Sequence, residues 1–168
     1  IDFRQLVRTA QDKLETTFYN NLKTIINLNN TYIQFPHAGK LLSSRPLIMG
    51  VINVTDDSFY QQSRVLDEQL FEIRVRKMLE DGVDIIDIGG ESSRPGSAPV
   101  DEVLEIERVI PFIKRLRKIT DIPISVDTYR YQTAKQSIDA GADMINDISA
   151  LRFDKELASF VALNQIPI

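Results

Sequence analysis

Residues 83–96 read Val-Asp-Ile-Ile-Asp-Ile-Gly-Gly-Glu-Ser-Ser-Arg-Pro-Gly, an apolar run that stops abruptly in a Gly-rich polar segment. A short, nearly continuous apolar run is typical of a strand buried on both faces of a parallel sheet. The pair Gly89-Gly90 permits a tight turn, and Arg94 places a cation in the following loop, which suits an anionic or phosphorylated ligand. The stretch therefore predicts a buried strand whose carboxyl end carries binding chemistry.

Three further apolar runs alternate with segments of helical periodicity, the pattern of an α/β protein with a parallel sheet. Pro111 lies inside the second predicted helix and is expected to kink or split it. Ile166-Pro167-Ile168 predicts the start of a fifth strand. The predicted strands are 47–52, 83–88, 122–126 and 144–148, and the predicted helices are 67–80, 101–118, 131–139 and 154–163.

Two helix-to-strand junctions, residues 81–86 and 140–145, repeat the same pattern. Each has a glycine, Gly82 or Gly141, that suits the left-handed position after a helix, and each continues into a strand. The repeat suggests barrel symmetry with two βα units per repeat. Because a (β/α)8 barrel takes about 250 residues, the 168 residues predict the first half of a TIM barrel.

Residues 1–30 have apolar side chains at helical spacing and predict an amphipathic helix, which we interpret as a helical lead-in or linker that packs on the barrel or on a neighbouring chain. A short strand, 31–35, then turns through 36–39 into residues 41–42 and predicts an amino-terminal hairpin. The predicted domains are therefore the lead-in, 1–30, and an incomplete barrel, 31–168.

The amino-acid composition excludes several kinds of functional site and several classes of protein. The chain has no Cys and one His, which excludes disulfide scaffolds, Cys zinc sites and thiol catalysis. His37 falls in the hairpin, at the end of the barrel opposite the strand tips, and is not expected to be catalytic. A net charge of -4 argues against nucleic acid as partner, and the longest apolar stretch, 46–52, is too short for a membrane span. No secretory signal is visible, so a cytoplasmic protein is expected.

Polar residues stand at the end of each predicted strand, where a parallel barrel builds its functional face. Asn53 ends the first strand, Asp127 the third, and Asn146 precedes Ile148 at the end of the fourth. A carboxylate in the barrel mouth must be paired or must bind N–H donors, and an amide can donate and accept at once, as a heterocycle edge requires. Taken singly, these residues could equally be helix caps or turn formers. Asp87 could be a core acceptor or part of the mouth.

Together these clusters resemble the dihydropteroate synthase family of pterin-binding TIM barrels. The resemblance rests on residues 87–96 with Ser-Val-Asp-Thr at 125–128 and Ile-Asn-Asp-Ile at 145–148, and it extends over about three quarters of the chain. It implies a transferase in which p-aminobenzoate displaces pyrophosphate from 6-hydroxymethyl-7,8-dihydropterin pyrophosphate, with Mg²⁺ assisting, in folate biosynthesis. It also implies that the protein is a target of sulfonamides.

The resemblance implies a role for each matching residue. Asn53 would hold the metal or the pyrophosphate, Arg94 would stabilise the departing pyrophosphate, and Asp127 would bind the pterin and stabilise developing positive charge. The remaining substrate-binding residues would be Asn146 and Ile148 at the pterin, and Ser93, Phe59 and Pro95 around the aminobenzoate.

The first loop departs from the family pattern: Asp56 replaces a proline, and Gln61, Gln62 and Ser63 replace an acid and two glycines. A non-catalytic pterin-binding homologue acting as a scaffold or partner subunit therefore remains an alternative, as does a pterin-dependent methyltransferase domain. The resemblance also leaves open a homodimer and a fusion to an upstream folate-pathway enzyme.

Overall fold

The computed structural model describes residues 32–42, 45–55, 64–92 and 99–168. Strands and helices alternate in them from the third strand onward, which confirms the predicted βα order, and the antiparallel β1–β2 pair confirms the hairpin. The predicted lead-in helix of residues 1–30 lies outside the described residues. The elements are β1 (Tyr32–Phe35), β2 (Gly39–Leu42), β3 (Met49–Asn53), α1 (Arg64–Glu80), β4 (Ile85–Gly89), α2 (Glu102–Ile119), β5 (Ile124–Asp127), α3 (Tyr131–Ala140), β6 (Met144–Asn146) and α4 (Lys155–Asn164).

A parallel four-stranded sheet, in the order β3-β4-β5-β6, forms the centre of the fold. Alternate residues of each strand pack under the helices, as expected where period-two side chains meet amphipathic helices. No helix of the described residues is long and apolar enough to cross a membrane. The fully buried core includes Ile52, Phe71, Val75, Ile86, Ile88, Val109, Ile113, Leu116, Ile124, Val126, Ile145 and Leu157.

The strand boundaries differ systematically from the prediction. The first three strands of the sheet begin two residues later and end one residue later than the apolar runs suggest. Backbone pairing does not require apolar side chains, so Asn53, Gly89 and Asp127 are still part of the ladder. β6 ends early, at Asn146, because the Asp147 carboxylate accepts the N–H groups of Ser149 and Leu151 and turns the chain.

Residues 166–168, the predicted start of a fifth strand, are not assigned to a strand, although the N–H of Ile145 in β6 donates to the carbonyl of Pro167 at 3.0 Å. The predicted split at Pro111 is wrong: α2 is one helix from Glu102 to Ile119. Pro111 lies on the exposed side of α2, where water can serve the carbonyl that loses its helical donor, while Val109 and Ile113 pack in the core.

The repeated junctions share more than a glycine. Gly82 and Gly141 have φ of +84° and +115°, the left-handed conformation predicted for them. The aspartate two residues after each glycine binds the start of the preceding strand: Asp84 accepts the N–H of Ile48 at 2.8 Å, and Asp143 accepts that of Ile124 at 3.0 Å. Each aspartate therefore joins two neighbouring strands at the amino end of the sheet.

The hairpin lies at this same amino end. The N–H groups of His37 and Ala38 both donate to the Asp143 carboxylate at 2.8 Å, immediately before β6. The His37 ring contacts the carbonyl of Ile138 at 3.1 Å. This placement confirms that His37 is remote from the carboxyl ends of the strands.

Candidate active site

Four residues form one row across the carboxyl edge of the sheet. The parallel register pairs Asn53 with Gly89, Gly89 with Asp127, and Asp127 with Asn146. Because neighbouring strands lie about 4.8 Å apart, residues in one register row present their side chains to a common space. The structure therefore brings together three of the residues that the sequence singled out.

Gly89 leaves a gap in the middle of this row. A Cβ built on Gly89 would lie 3.1 Å from Oδ1 of Asn53 and 3.4 Å from the Cβ of Asp127. The missing side chain lets the Asn53 amide and the Asp127 carboxylate approach each other across β4. Gly90 has a different role: a Cβ there would lie 3.0 Å from Val109 in α2, so this glycine permits close helix packing.

The Asp127 carboxylate is half-buried and accepts no hydrogen bond from the described part of the chain. Burial, reinforced by the negative charges of Asp87, Glu105, Glu91 and Asp147, raises the pKa of Asp127 to about 6. The ionised form of a carboxylate in this environment is stabilised by any ligand that brings N–H donors or positive charge. Asp127 is thus the acceptor of the site.

Asn146 is oriented by a buried acid beneath it. Its Nδ2 donates to Oδ2 of Asp87 at 3.2 Å. Because an ionised carboxylate can only accept, the amide atom of Asn146 that faces Asp87 must be the nitrogen. Asp87 is 2% exposed, and burial raises its pKa against the opposing effects of Ser125 and Asn146. Asp87 is therefore a core acceptor that also positions the site, which settles the alternative left open by the sequence.

Ile148 lines the same pocket as Asp127, together with Glu91, Ser92, Thr128 and Tyr129. Its side chain is 60% exposed. The turn held by Asp147 accounts for this, because the strand has already ended and residues Ala150 and Leu151 adopt positive φ values of 54° and 63°. The pocket thus has a polar floor at Asp127 and an apolar wall at Ile148.

Sequence reasoning missed a cluster of charges beside Asp127. Arg130 Nη1 lies 2.7 Å from Glu91 and 2.8 Å from Glu105, and Arg130 Nη2 donates to the carbonyl of Val100 at 2.7 Å. The Tyr129 hydroxyl donates to Glu91 at 3.2 Å. The quoted motif 125–128 ends two residues before Arg130, and nothing in its spacing identifies Glu105, which comes from the first turn of α2.

Four of the predicted site residues, Phe59, Ser93, Arg94 and Pro95, lie outside the described residues, as do Gln61, Gln62 and Ser63. The described residues contain no group of three acidic or histidine side chains arranged to hold a metal ion. Asn53, exposed at the end of β3, offers a single amide oxygen. Mg²⁺ in proteins usually keeps several waters and takes one or two carboxylates together with substrate phosphates, so this amide oxygen would be one ligand among waters and phosphate oxygens.

Comparison with known proteins places this geometry in context. A family model described as "Pterin binding enzyme" matches residues 49–168. The chain belongs to this pterin-binding enzyme family. The match contains the whole parallel sheet and the row from Asn53 to Asn146. The candidate site therefore lies within the part of the chain that matches the family.

The resemblance to dihydropteroate synthase is confirmed by similarity to individual relatives. The chain is 44% identical over 126 residues to the dihydropteroate synthase of Clostridium beijerinckii, covering 75% of this chain and 47% of the relative. The structure of the Xanthomonas albilineans dihydropteroate synthase with 4-aminobenzoic acid matches with a TM-score of 0.70 and 40% identity, covering 82% of this chain and 50% of that one. The Clostridium difficile dihydropteroate synthase, solved in the presence of pteroic acid, matches with a TM-score of 0.69 and 42% identity, covering 73% and 47%.

The chain spans about half the length of the relatives it matches. The four parallel strands and their helices correspond to the first half of a TIM barrel, as predicted from the sequence.

Proposed function

We propose that the protein carrying this chain is a dihydropteroate synthase, which condenses p-aminobenzoate with 6-hydroxymethyl-7,8-dihydropterin pyrophosphate and releases pyrophosphate. The observation that carries the proposal is the register row, in which the Asp127 carboxylate, without a hydrogen-bond donor among the described residues, stands beside an Asn146 amide held by Asp87. An acceptor next to a donor–acceptor amide matches the edge of a pterin ring. The relatives named above support the choice of reaction.

In this reaction the amine of p-aminobenzoate forms a bond to the exocyclic carbon of the pterin, and the bond from that carbon to the pyrophosphate oxygen breaks. Asp127 accepts N–H groups of the pterin and stabilises the positive charge that spreads into the ring as the pyrophosphate leaves. Asn146 fixes the orientation of the ring, and Ile148 covers an apolar face of the bound substrate.

The remaining assignments complete the proposal. Asn53 would hold Mg²⁺, which supplies charge stabilisation to the pyrophosphate when bound. Arg94 would supply further positive charge, and Ser93, Phe59 and Pro95 would line the aminobenzoate pocket. Inhibition by sulfonamides, a cytoplasmic location, a homodimer and a fusion to an upstream folate-pathway enzyme belong to the same proposal.

The proposal is tested by supplying the purified protein with the pterin pyrophosphate, labelled p-aminobenzoate and Mg²⁺. We expect dihydropteroate and pyrophosphate to appear in equal amounts, and chelation of the metal to reduce the rate until Mg²⁺ is restored. Pterin binding without product would favour the non-catalytic homologue instead. Absence of both binding and product would overturn the proposal.

The gap at Gly89 gives a second prediction. Gly89→Ala should displace the Asn53 amide or the Asp127 side chain and weaken pterin binding about tenfold, the equivalent of one lost hydrogen bond. Calorimetry with the pterin pyrophosphate measures the loss. Gly50→Ala is the matched control: its new methyl group meets Met78 and Val83, away from the carboxyl edge of the sheet, so it should lower the melting temperature and leave the affinity of the folded protein unchanged. Equal affinity losses in both variants would contradict this assignment.

A further inference from the structure

The charge cluster beside Asp127 is built around one arginine. Arg130 pairs with two carboxylates from different elements: Glu91, which follows β4, and Glu105, in the first turn of α2. Glu105 is 1% exposed and also accepts the Thr133 hydroxyl at 2.8 Å. Arg130 itself is 15% exposed and lies 4.4 Å from the centroid of the Tyr129 ring. A charge so enclosed is held in one position.

This cluster borders the pocket directly. Glu91, Glu105, Asp127 and Tyr129 all line it, and Arg130 follows Asp127 by three residues. With Arg130 present, the two glutamates and the arginine carry a net charge of -1; without it they would carry -2. A substrate bearing a pyrophosphate approaches through a mouth that already holds Asp127, so each additional uncompensated negative charge opposes binding.

We infer that Arg130 is a positioning residue of the synthase, which holds Glu91 and Glu105 and cancels their charge so that an anionic pterin can bind at Asp127. This inference rests on the proposed function, and Arg130 acts through the two glutamates rather than by touching substrate. The same arginine fixes the carbonyl of Val100, so the described ends of the β4–α2 connection, Glu91 and Val100, are tied to the end of β5.

The test compares substitutions of Arg130 in the protein carrying this chain. Arg130→Met should raise the KM for the pterin pyrophosphate about tenfold, the effect of one uncompensated charge in a partly buried site. Arg130→Lys keeps the charge but loses the planar fork that reaches Glu91, Glu105 and the Val100 carbonyl, so its KM should lie between those of the parent and Arg130→Met. Affinity for uncharged 6-hydroxymethyl-7,8-dihydropterin should change less than that for the pyrophosphate, because the penalty is electrostatic.

Two further variants separate positioning from simple destabilisation. Adding Glu91→Gln to Arg130→Met removes one of the freed charges and should recover most of the lost affinity. Arg117→Met is the matched control, because Arg117 is 20% exposed and pairs with the fully buried Asp143 at the opposite end of the sheet. It should lower the melting temperature without raising the KM. If Arg130→Met does not fold, Glu91→Gln alone should lower the KM for the pterin pyrophosphate, since it removes a negative charge.

The outcomes distinguish the two proposals. An active parent whose KM is unchanged by Arg130→Met, or whose Glu91→Gln variant binds no better, would overturn the role of Arg130 and leave the synthase assignment standing. Equal weakening for the charged and the uncharged pterin would likewise show that Arg130 serves only the fold. A parent without synthase activity would overturn both.

Discussion

Asp127→Ala is expected to weaken binding of the dihydropterin pyrophosphate by about 1.5–3 kcal/mol, which corresponds to roughly 10- to 150-fold in Kd. The substitution removes the carboxylate that we propose accepts the pterin N–H groups, and hydrogen bonds to a charged group are worth this much. Calorimetric titration of the parent and the variant measures the difference. Asp139→Ala is the control, because Asp139 is exposed on α3 and outside the pocket.

The pH dependence of binding gives the same assignment a second test. The ionised form of Asp127 accepts the ligand's N–H groups, and the pKa of this carboxyl in the free protein is about 6. Affinity should therefore be constant above about pH 7 and fall as the pH decreases through 6. An affinity that does not change between pH 5 and 8 would exclude Asp127 as the acceptor.

The stability of the folded protein should change with pH in the direction opposite to that of the pterin affinity. A raised pKa means that the folded state binds this proton more tightly than the unfolded state does, so the contribution of Asp127 to stability falls as the pH rises from about 4 through 6. Asp127→Asn is isosteric and carries no charge. It should melt at a higher temperature than the parent at pH 7 while binding the pterin more weakly, which would identify Asp127 as a residue retained for function at a cost in stability.

The sequence predicted the elements that depend on apolar periodicity and failed where polar side chains decide the geometry. The strands were placed by their buried Ile and Val residues, yet their ends were off by one residue because Asn53, Gly89 and Asp127 continue the backbone ladder. The carboxyl edge itself could be predicted, since parallel strands must end on the same side. The register that aligns Asp127 with Asn146 could not, because it follows from pairing between strands.

The ion-pair cluster around Arg130 also could not be predicted from the sequence. Glu105 looks like an ordinary acidic residue in the first turn of a helix, and its charge does complement the helix dipole. Only the packing of α2 against α3 brings it to Arg130. Asp87 is a similar case, because the sequence left open whether it is a core acceptor or part of the mouth and did not predict its contact with Asn146, 59 residues away.

The amino end of the sheet yields the largest predicted effect on stability. Asp143 is fully buried and accepts the N–H groups of His37, Ala38 and Ile124, and it also pairs with Arg117. Asp143→Ala leaves three N–H groups without their acceptor and removes the carboxylate partner of Arg117, which keeps its hydrogen bonds to backbone carbonyls. Because breaking a buried ion pair from one side typically costs about 3–5 kcal/mol, the free energy of unfolding should fall by about that amount.

The internal repeat supplies the control for this substitution. Asp84 occupies the equivalent place, accepts the N–H of Ile48 and pairs with Arg45, but the Arg45 side chain is 56% exposed. Solvent screens such a pair, so Asp84→Ala should lower the free energy of unfolding much less than Asp143→Ala does. Urea denaturation of the two variants measures both values, and equal losses would show that burial does not distinguish the two junctions. Since Asp143 lies at the end of the sheet opposite Asp127, the Asp143→Ala molecules that remain folded should bind pterin with the parental Kd.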